Sequence, residues 1–261
     1  MEYTDVAYEV SEQIATITMN RAKRMNAFRG RTIEELLHAF KQAWADPAVA
    51  VVIFTGAGEK SFCVGGDQIE YAETGSYGTS ENGLWEIDEL HMVMRDIPKP
   101  VIAAVNGYAI GGGHVFHVLC DVTIASDNAK FGQAGPKVGS FDAGWGTALL
   151  TRIVGEKKAR EIWYFCRQYT AQEALEMGLV NKVVPQAELM NEAREWGRQA
   201  AAMSPTALRA LKHAFNADGA HIYGQAKMAA DILRIFGTSD EAMEGKKAFA
   251  EKRTPDFSPY R

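Results

Sequence analysis

The segments "IATITMN" (14–20) and "VAVVIFTG" (49–56) are short runs rich in β-branched residues, and the helix-patterned "TIEELLHAFKQAWAD" (32–46) lies between them. Strand, helix and strand in that order predict a parallel crossover, because parallel neighbours need a long connection between them. The motif returns further along. "LWEIDELHMVMRDI" reads as a helix stopped by "PKP", and "VIAAVNG" follows as a buried strand. "DVTIAS" is a short strand followed by "AKFGQ", a helix is expected to begin near Gly146, and "KKAREIWYFCRQ" reads as another. From about Ala187 the pattern is helical and more charged, which places a boundary near residue 200. The chain is therefore divided into a core domain over 1–200 and a helical C-terminal region over 201–261, whose proline-containing end wraps a surface.

A length of 261 residues suits one main domain with an appendage. No apolar run approaches the ~20 residues that span a bilayer, so no membrane partner is expected. The start "MEYTDVAYEV" lacks a basic leader and an apolar core, which points to a cytoplasmic protein. Cys63, Cys120 and Cys166 have no metal-ligand spacing and read as buried thiols. A net charge of -5 argues against a nucleic-acid partner.

Two glycine clusters carry the chemistry. "SFCVGGDQ" follows a strand and a turn, and "AIGGGHV" follows a strand and opens a helix. Glycine lets backbone approach a ligand closely, and amides at a helix start point outward as unpaired donors. Together they can hold one developing negative charge. Tight packing is the plain alternative, and the spacing is not that of a dinucleotide site.

The stretches "FCVGGDQ", "PKPVIAAVNGYAIGGGHV", "FGQAGPKVGSFDAGWG" and "GLVNKVV" resemble the crotonase, or enoyl-CoA hydratase/isomerase, superfamily over essentially the whole chain. The resemblance implies an α/β fold, a crotonase-like spiral of ββα units with a C-terminal helical trimerisation region, and a homotrimer or a hexamer built from two trimers. It implies an acyl-CoA thioester as substrate, with no tightly bound cofactor and no metal. Gly66 and Gly112 match the oxyanion hole. Such a donor is typically worth about 3 to 4 kcal/mol in the transition state, because the charge appears only when an enolate forms. Matching positions for substrate and CoA are Arg24, Met25, Val64, Gly65, Asp67, Gln68, Phe249 and Lys252. The last two often act across a subunit boundary.

The acids decide the reaction. The two glutamates of hydratases in this superfamily match Val115 and Gly135, and neither residue moves a proton. Simple enoyl-CoA hydration is therefore rejected. "GPKVGSFDAGWG" with "KKAREIWYFCRQY" resembles a narrower branch, which contains 2-ketocyclohexanecarboxyl-CoA hydrolase and 1,4-dihydroxy-2-naphthoyl-CoA synthase. In that branch the residues matching Ser140 and Asp142 handle protons. A bicarbonate, water or other anion site matches Gln133, Gly135 and Trp163, but Ala134 replaces a threonine that helps hold bicarbonate. "RMNAFRGRTIEEL", "IDELHMVMRDIPKPVIA" and "NADGAHIYGQAKM" resemble the ring-opening enzyme. The loop "IEYAETGSYGTSENG" lacks the basic residues of the synthases, and Glu70 and Glu73 would repel an anionic substrate if they faced inward. The tyrosine that both enzymes bring from the C-terminal region aligns with Gly237. Tyr77 and Tyr223 are the candidates to replace it.

The expected reaction is hydrolytic ring opening, with ring closure by a naphthoate-type synthase as the alternative. An RNA-binding or assembly protein on the same fold is a further alternative. Plainer roles stand beside each assignment. Asp142 also reads as a turn or helix-cap carboxylate before "GTALL", and Ser140 as a turn residue. His114, His117, Trp145 and Trp163 read as packing residues, and Lys252 as a solvated charge.

Overall fold

The computed structural model describes residues 1–261. Its strands are β1 (Val6–Ser11), β2 (Ile14–Met19), β3 (Val51–Gly56), β4 (Ser61–Cys63), β5 (Val101–Val105), β6 (Tyr108–Ile110), β7 (Val122–Ser126), β8 (Lys130–Gly132), β9 (Gln168–Thr170) and β10 (Lys182–Val184). Its helices are α1 (Gly30–Ala45), α2 (Gln68–Thr74), α3 (Ile87–Asp96), α4 (Gly112–Leu119), α5 (Trp145–Val154), α6 (Glu156–Phe165), α7 (Ala171–Glu176), α8 (Leu189–Ala201), α9 (Pro205–Ala217), α10 (Ile222–Phe236) and α11 (Asp240–Ala250).

The strands form a six-stranded sheet, in order β1-β2-β3-β5-β7-β10, and a four-stranded sheet, in order β4-β6-β8-β9. From β3 to β8 consecutive strands alternate between them. β3, β5 and β7 enter the first sheet and their successors β4, β6 and β8 enter the second. Each ββα turn therefore adds one strand to each sheet, which is the expected spiral. β1 and β2 form an antiparallel hairpin, and β2, β3, β5, β7 and β10 run parallel.

Side-chain alternation along β3 shows why the central strands are apolar throughout. Val52 and Phe54 enter the main core, while Val51 and Ile53 enter a second cluster beneath α8. The Phe54 ring meets Phe40, Phe62 and Phe116, with centroids at 5.5, 5.1 and 5.9 Å. α8 covers the outer face of the first sheet through Leu189 and Ala193 and ends at Ala201, beside the boundary read from the sequence. The three helices after it pack on α2, α3 and α5, with α11 lying on α2 of its own chain.

The helix expected near Gly146 starts at Trp145. α2, the β1 hairpin strand and the three-residue strands were not individually legible in the sequence. No helix is long and apolar enough to cross a membrane.

Candidate functional site

The two glycine clusters meet at one corner of the fold. β4 and β6 run side by side and deliver "VGGD" and "IGGG" next to each other. A Cβ added to Gly65 would lie 3.1 Å from the Gly112 amide nitrogen, and one added to Gly112 would lie 3.5 Å from Gly65 Cα. A Cβ on Gly113 would fall on the Cys63 carbonyl, so glycine is required for this approach. The Phe28 amide donates to the Gly65 carbonyl and the Asp67 amide to the Phe28 carbonyl, both at 2.8 Å. These bonds bracket Gly66 and fix its backbone. Gly112 is the first residue of α4, where an amide has no partner within the helix.

Aromatic rings stand against both glycines. A Cβ on Gly66 would come 2.6 Å from the Tyr77 ring, and one on Gly112 would come 2.6 Å from the Phe28 ring. Tyr77 stacks on Trp85 at 5.6 Å, and Gln68 Nε2 donates to its hydroxyl at 2.6 Å. Burial pushes the Tyr77 phenol up to about 12, so it remains protonated near neutrality. A cleft of about 250 Å³ lies elsewhere, between Thr16, Thr18, Thr55 and α8. The glycine corner, with its outward amides, is the better chemical candidate despite that cleft's size.

Asp142 lies on the loop before α5. Its Oδ1 accepts from the Gly144 amide at 2.8 Å and its Oδ2 from the Gly146 amide at 3.2 Å. The helix-cap reading is therefore correct as far as hydrogen bonding goes. The carboxylate also lies near α4, because a Cβ on Gly146 would lie 2.8 Å from both Asp142 Oδ2 and Val115 Cγ2. An acid from the loop stands beside an apolar residue on α4. Asp142 is held above the usual carboxylate range by burial and by the like charge of Asp88, although the Gly144 and Gly146 amides oppose the shift.

The other expected positions separate into groups. The Ser140 amide donates to the Gly135 carbonyl at 2.9 Å, and the Ser140 side chain has no hydrogen bond to Asp142. A Cβ on Gly135 would meet the Ser140 carbonyl at 2.6 Å. Gln133 is buried, with its amide nitrogen 3.2 Å from His114 Nδ1. The Trp163 indole nitrogen is buried without a partner. Asp67 caps α2 and pairs with Arg21 at 3.0 Å, so its carboxylate is engaged within the protein. Val64 and Gly65 line the turn, Arg24 is exposed, and Met25 takes a left-handed backbone with φ 54°. Phe249 and Lys252 are exposed at the end of α11.

Glu70 does not stand as a free negative charge, since it lies 3.6 Å from both Arg21 and Arg29. His114 and His117 face each other at 4.8 Å, and His117 Nδ1 lies 3.3 Å from Thr123 Oγ1. Burial drives His114 down to about 3 and His117 well below its ordinary value, so both are neutral near pH 7. Tyr77 is at the glycine corner, whereas Tyr223 lines a crevice with Asp88 and Trp145. Sequence reasoning missed Tyr71, whose hydroxyl donates to the Gly237 carbonyl at 3.4 Å while Lys246 Nζ sits 3.9 Å over its ring. The glycine at 237 was the available signal, because it showed where a phenol was missing.

A family model described as enoyl-CoA hydratase/isomerase matches residues 9–259. The chain belongs to the enoyl-CoA hydratase/isomerase family. Carnitinyl-CoA hydratase from Mycobacterium avium is 30% identical with a TM-score of 0.86, over 99% of this chain and all of that one. An enoyl-CoA hydratase/isomerase from Pseudoalteromonas atlantica T6c is 25% identical with a TM-score of 0.88, over 98% of this chain and 100% of the other. An enoyl-CoA hydratase from Bacillus anthracis is 32% identical with a TM-score of 0.73, covering 97% and 99% respectively. The protein is thus a crotonase-family enzyme that processes acyl-CoA. Within that family it carries Val115 and Gly135 at the two positions discussed above, and Asp142 beside the first of them.

Proposed function

We propose that this enzyme opens the ring of a β-keto acyl-CoA similar to 2-ketocyclohexanecarboxyl-CoA by adding water. The observation that carries the reading is the contact geometry at Gly146: Asp142 is the acid presented beside Val115, next to the helix that Gly112 opens. In this reading Asp142 takes a proton from water as the water oxygen bonds to the ring ketone carbon. The bond from that carbon to the α-carbon then breaks, and its electron pair passes into the thioester as an enolate. The Gly66 and Gly112 amides hold the enolate oxygen. The proton returns to the α-carbon, so the product is the substrate plus one water. Burial suits Asp142 to this task, since a carboxylate held above its usual range is a stronger base.

Tyr77 or Tyr71 supplies the phenol that Gly237 lacks, with Tyr77 the nearer to Gly66. Trp85 and Phe28 extend the apolar wall against which a ring would lie. Arg24, Met25, Val64, Gly65, Gln68, Phe249 and Lys252 form the path for the remainder of the thioester. Ser140 assists as a second-layer group through the loop backbone.

The alternative ring-closing synthase reaction gains one supporting feature, the unpaired Trp163 indole N–H, which fits an acceptor. The residues present do not fit bicarbonate there. Gln133 is turned to His114, the backbone of Ser140 crowds Gly135, and Ala134 offers no hydroxyl. A water molecule satisfies the single indole donor without those groups. Mass spectrometry after incubation with 2-ketocyclohexanecarboxyl-CoA and, separately, o-succinylbenzoyl-CoA tests the reading. A gain of one water from the first supports it, and loss of one water from the second replaces it with ring closure. Binding of single-stranded RNA without CoA binding would favour the non-enzyme.

A further inference from the structure

The loop that carries Asp142 is backed by a second layer to which the proposed chemistry assigns no role. Gln225 Nε2 on α10 donates to the Ala143 carbonyl at 2.8 Å. Its neighbour Ala226 packs tightly on Gly144, where an added Cβ would lie 2.8 Å from Ala226 Cα and 3.3 Å from Asp142 Oδ1. Ala226 therefore supports the carboxylate through a single glycine. The next residue, Lys227, reaches across to α3, with Nζ 3.2 Å from Glu89 Oε1 and 3.7 Å from Asp88 Oδ2. Asp88, Met92, Trp145, Tyr223, Ala226 and Lys227 wall one narrow crevice. Asp88 thus shares a crevice with Ala226, the residue that packs on Gly144 next to Asp142 Oδ1.

We propose that α3 and α10 form a positioning clamp on the Asp142 loop, in which Gln225 and Ala226 fix the backbone and Asp88, steered by Lys227, places a second carboxylate beside Asp142. The consequence for turnover rests on Asp142 being the base, but the clamp itself does not. The charged groups at this crevice are Asp88 and Lys227 in its wall, Glu89 paired to Lys227, and Arg95 lying 5.8 Å over the Trp145 ring, with the exposed Asp231 on α10 acting on Asp88 from farther off. On α4 the packed neighbour is the uncharged Val115.

Two nearby carboxylates resist joint ionisation. The shifts agree in direction. Burial and Asp88 raise Asp142, while burial, with Glu89 and Asp231, raises Asp88 against the pull of Lys227. Asp88 is a positioning residue in this scheme, since it acts on substrate only through Asp142.

NMR of the full-length protein labelled at the aspartate Cγ, with no substrate added, follows the Asp142 titration directly. The Asp142→Asn protein identifies the resonance. Asp88→Asn is expected to lower the Asp142 midpoint by about half a pH unit or more, because a like charge has been removed. Asp88→Glu restores it towards the wild-type position, and Glu89→Gln, which removes a partner of Lys227, leaves it in place. Asp88→Ser removes the same charge with a smaller side chain and serves if the Asn variant is not folded. An unchanged midpoint in folded Asp88→Asn or Asp88→Ser protein overturns the proposal. Because no turnover is required, full activity in Asp142→Asn would end the base assignment without altering this result.

Discussion

At the scale of single residues, Asp142 combines two tasks that can be separated by choice of substitution. Asn retains one oxygen that can accept from the Gly144 amide, whereas Ala removes both cap acceptors. Asp142→Asn is expected to reduce kcat by about 10²-fold or more with little change in CoA affinity, measured by steady-state kinetics and calorimetry. Asp142→Ala is expected to lose, in addition, about 1 kcal/mol of stability through the missing cap. Equal stability of the two variants would show that the cap contributes nothing. The glycines and the acid were legible in the sequence because their chemistry depends on residue type. The contacts of Tyr71, Asp88 and Gln225 were not legible, because each is made through tertiary packing with a distant segment.

At the scale of elements, the decisive contact is that of α4 with β4. Gly113 permits it, since a Cβ there would run into the Cys63 carbonyl, and backbone cannot swing aside as a side chain can. Gly113→Ala is expected to push the start of α4 away from β4 and separate the Gly66 and Gly112 amides. Activity and thermal midpoint should fall together, with a loss of about 1 to 3 kcal/mol by chemical denaturation. A stable, active Gly113→Ala enzyme would contradict the close approach.

The long amphipathic helices were readable from periodicity and the five-residue and longer parallel strands from their β-branched apolar runs. β4, β6, β8, β9 and β10 each span three residues, which is too few for alternation to show. α2 escaped notice because its start is set by the Asp67 cap and not by an apolar stripe, and it buries no residue completely.

At the scale of the whole molecule, buried neutral histidines couple stability to pH. His91 and His114 are driven down to about 3 from an ordinary 6.5, and His117 well below that ordinary value, by burial in each case. Below pH 6.5 the unfolded chain takes up protons that the folded chain refuses. Stability therefore falls as pH drops through that window, by up to ~1 kcal/mol per pH unit for each histidine. Denaturation midpoints between neutral pH and pH 5 measure it, and a flat profile would contradict neutral burial.

The C-terminal helices present exposed Phe215 and Ile235, at 79% and 70% accessibility, together with Leu211, Met228 and Ile232. Exposed apolar side chains on these helices suit a contact between copies of the chain, such as the trimer or hexamer that the family resemblance implies. Phe215→Glu with Ile235→Glu is expected to shift sedimentation to the monomer, and an unchanged assembly would place the interface elsewhere. Similarity to solved hydratases identifies this architecture, but a shared fold does not determine the reaction.

The most direct test of water addition by Asp142 is turnover of 2-ketocyclohexanecarboxyl-CoA in heavy-oxygen water, with the product analysed by mass spectrometry. One heavy oxygen in the newly formed carboxyl group, at a rate about 10²-fold lower in Asp142→Asn, is the predicted outcome. A ring-opened product without the label, or the same rate of labelling in both proteins, would contradict it.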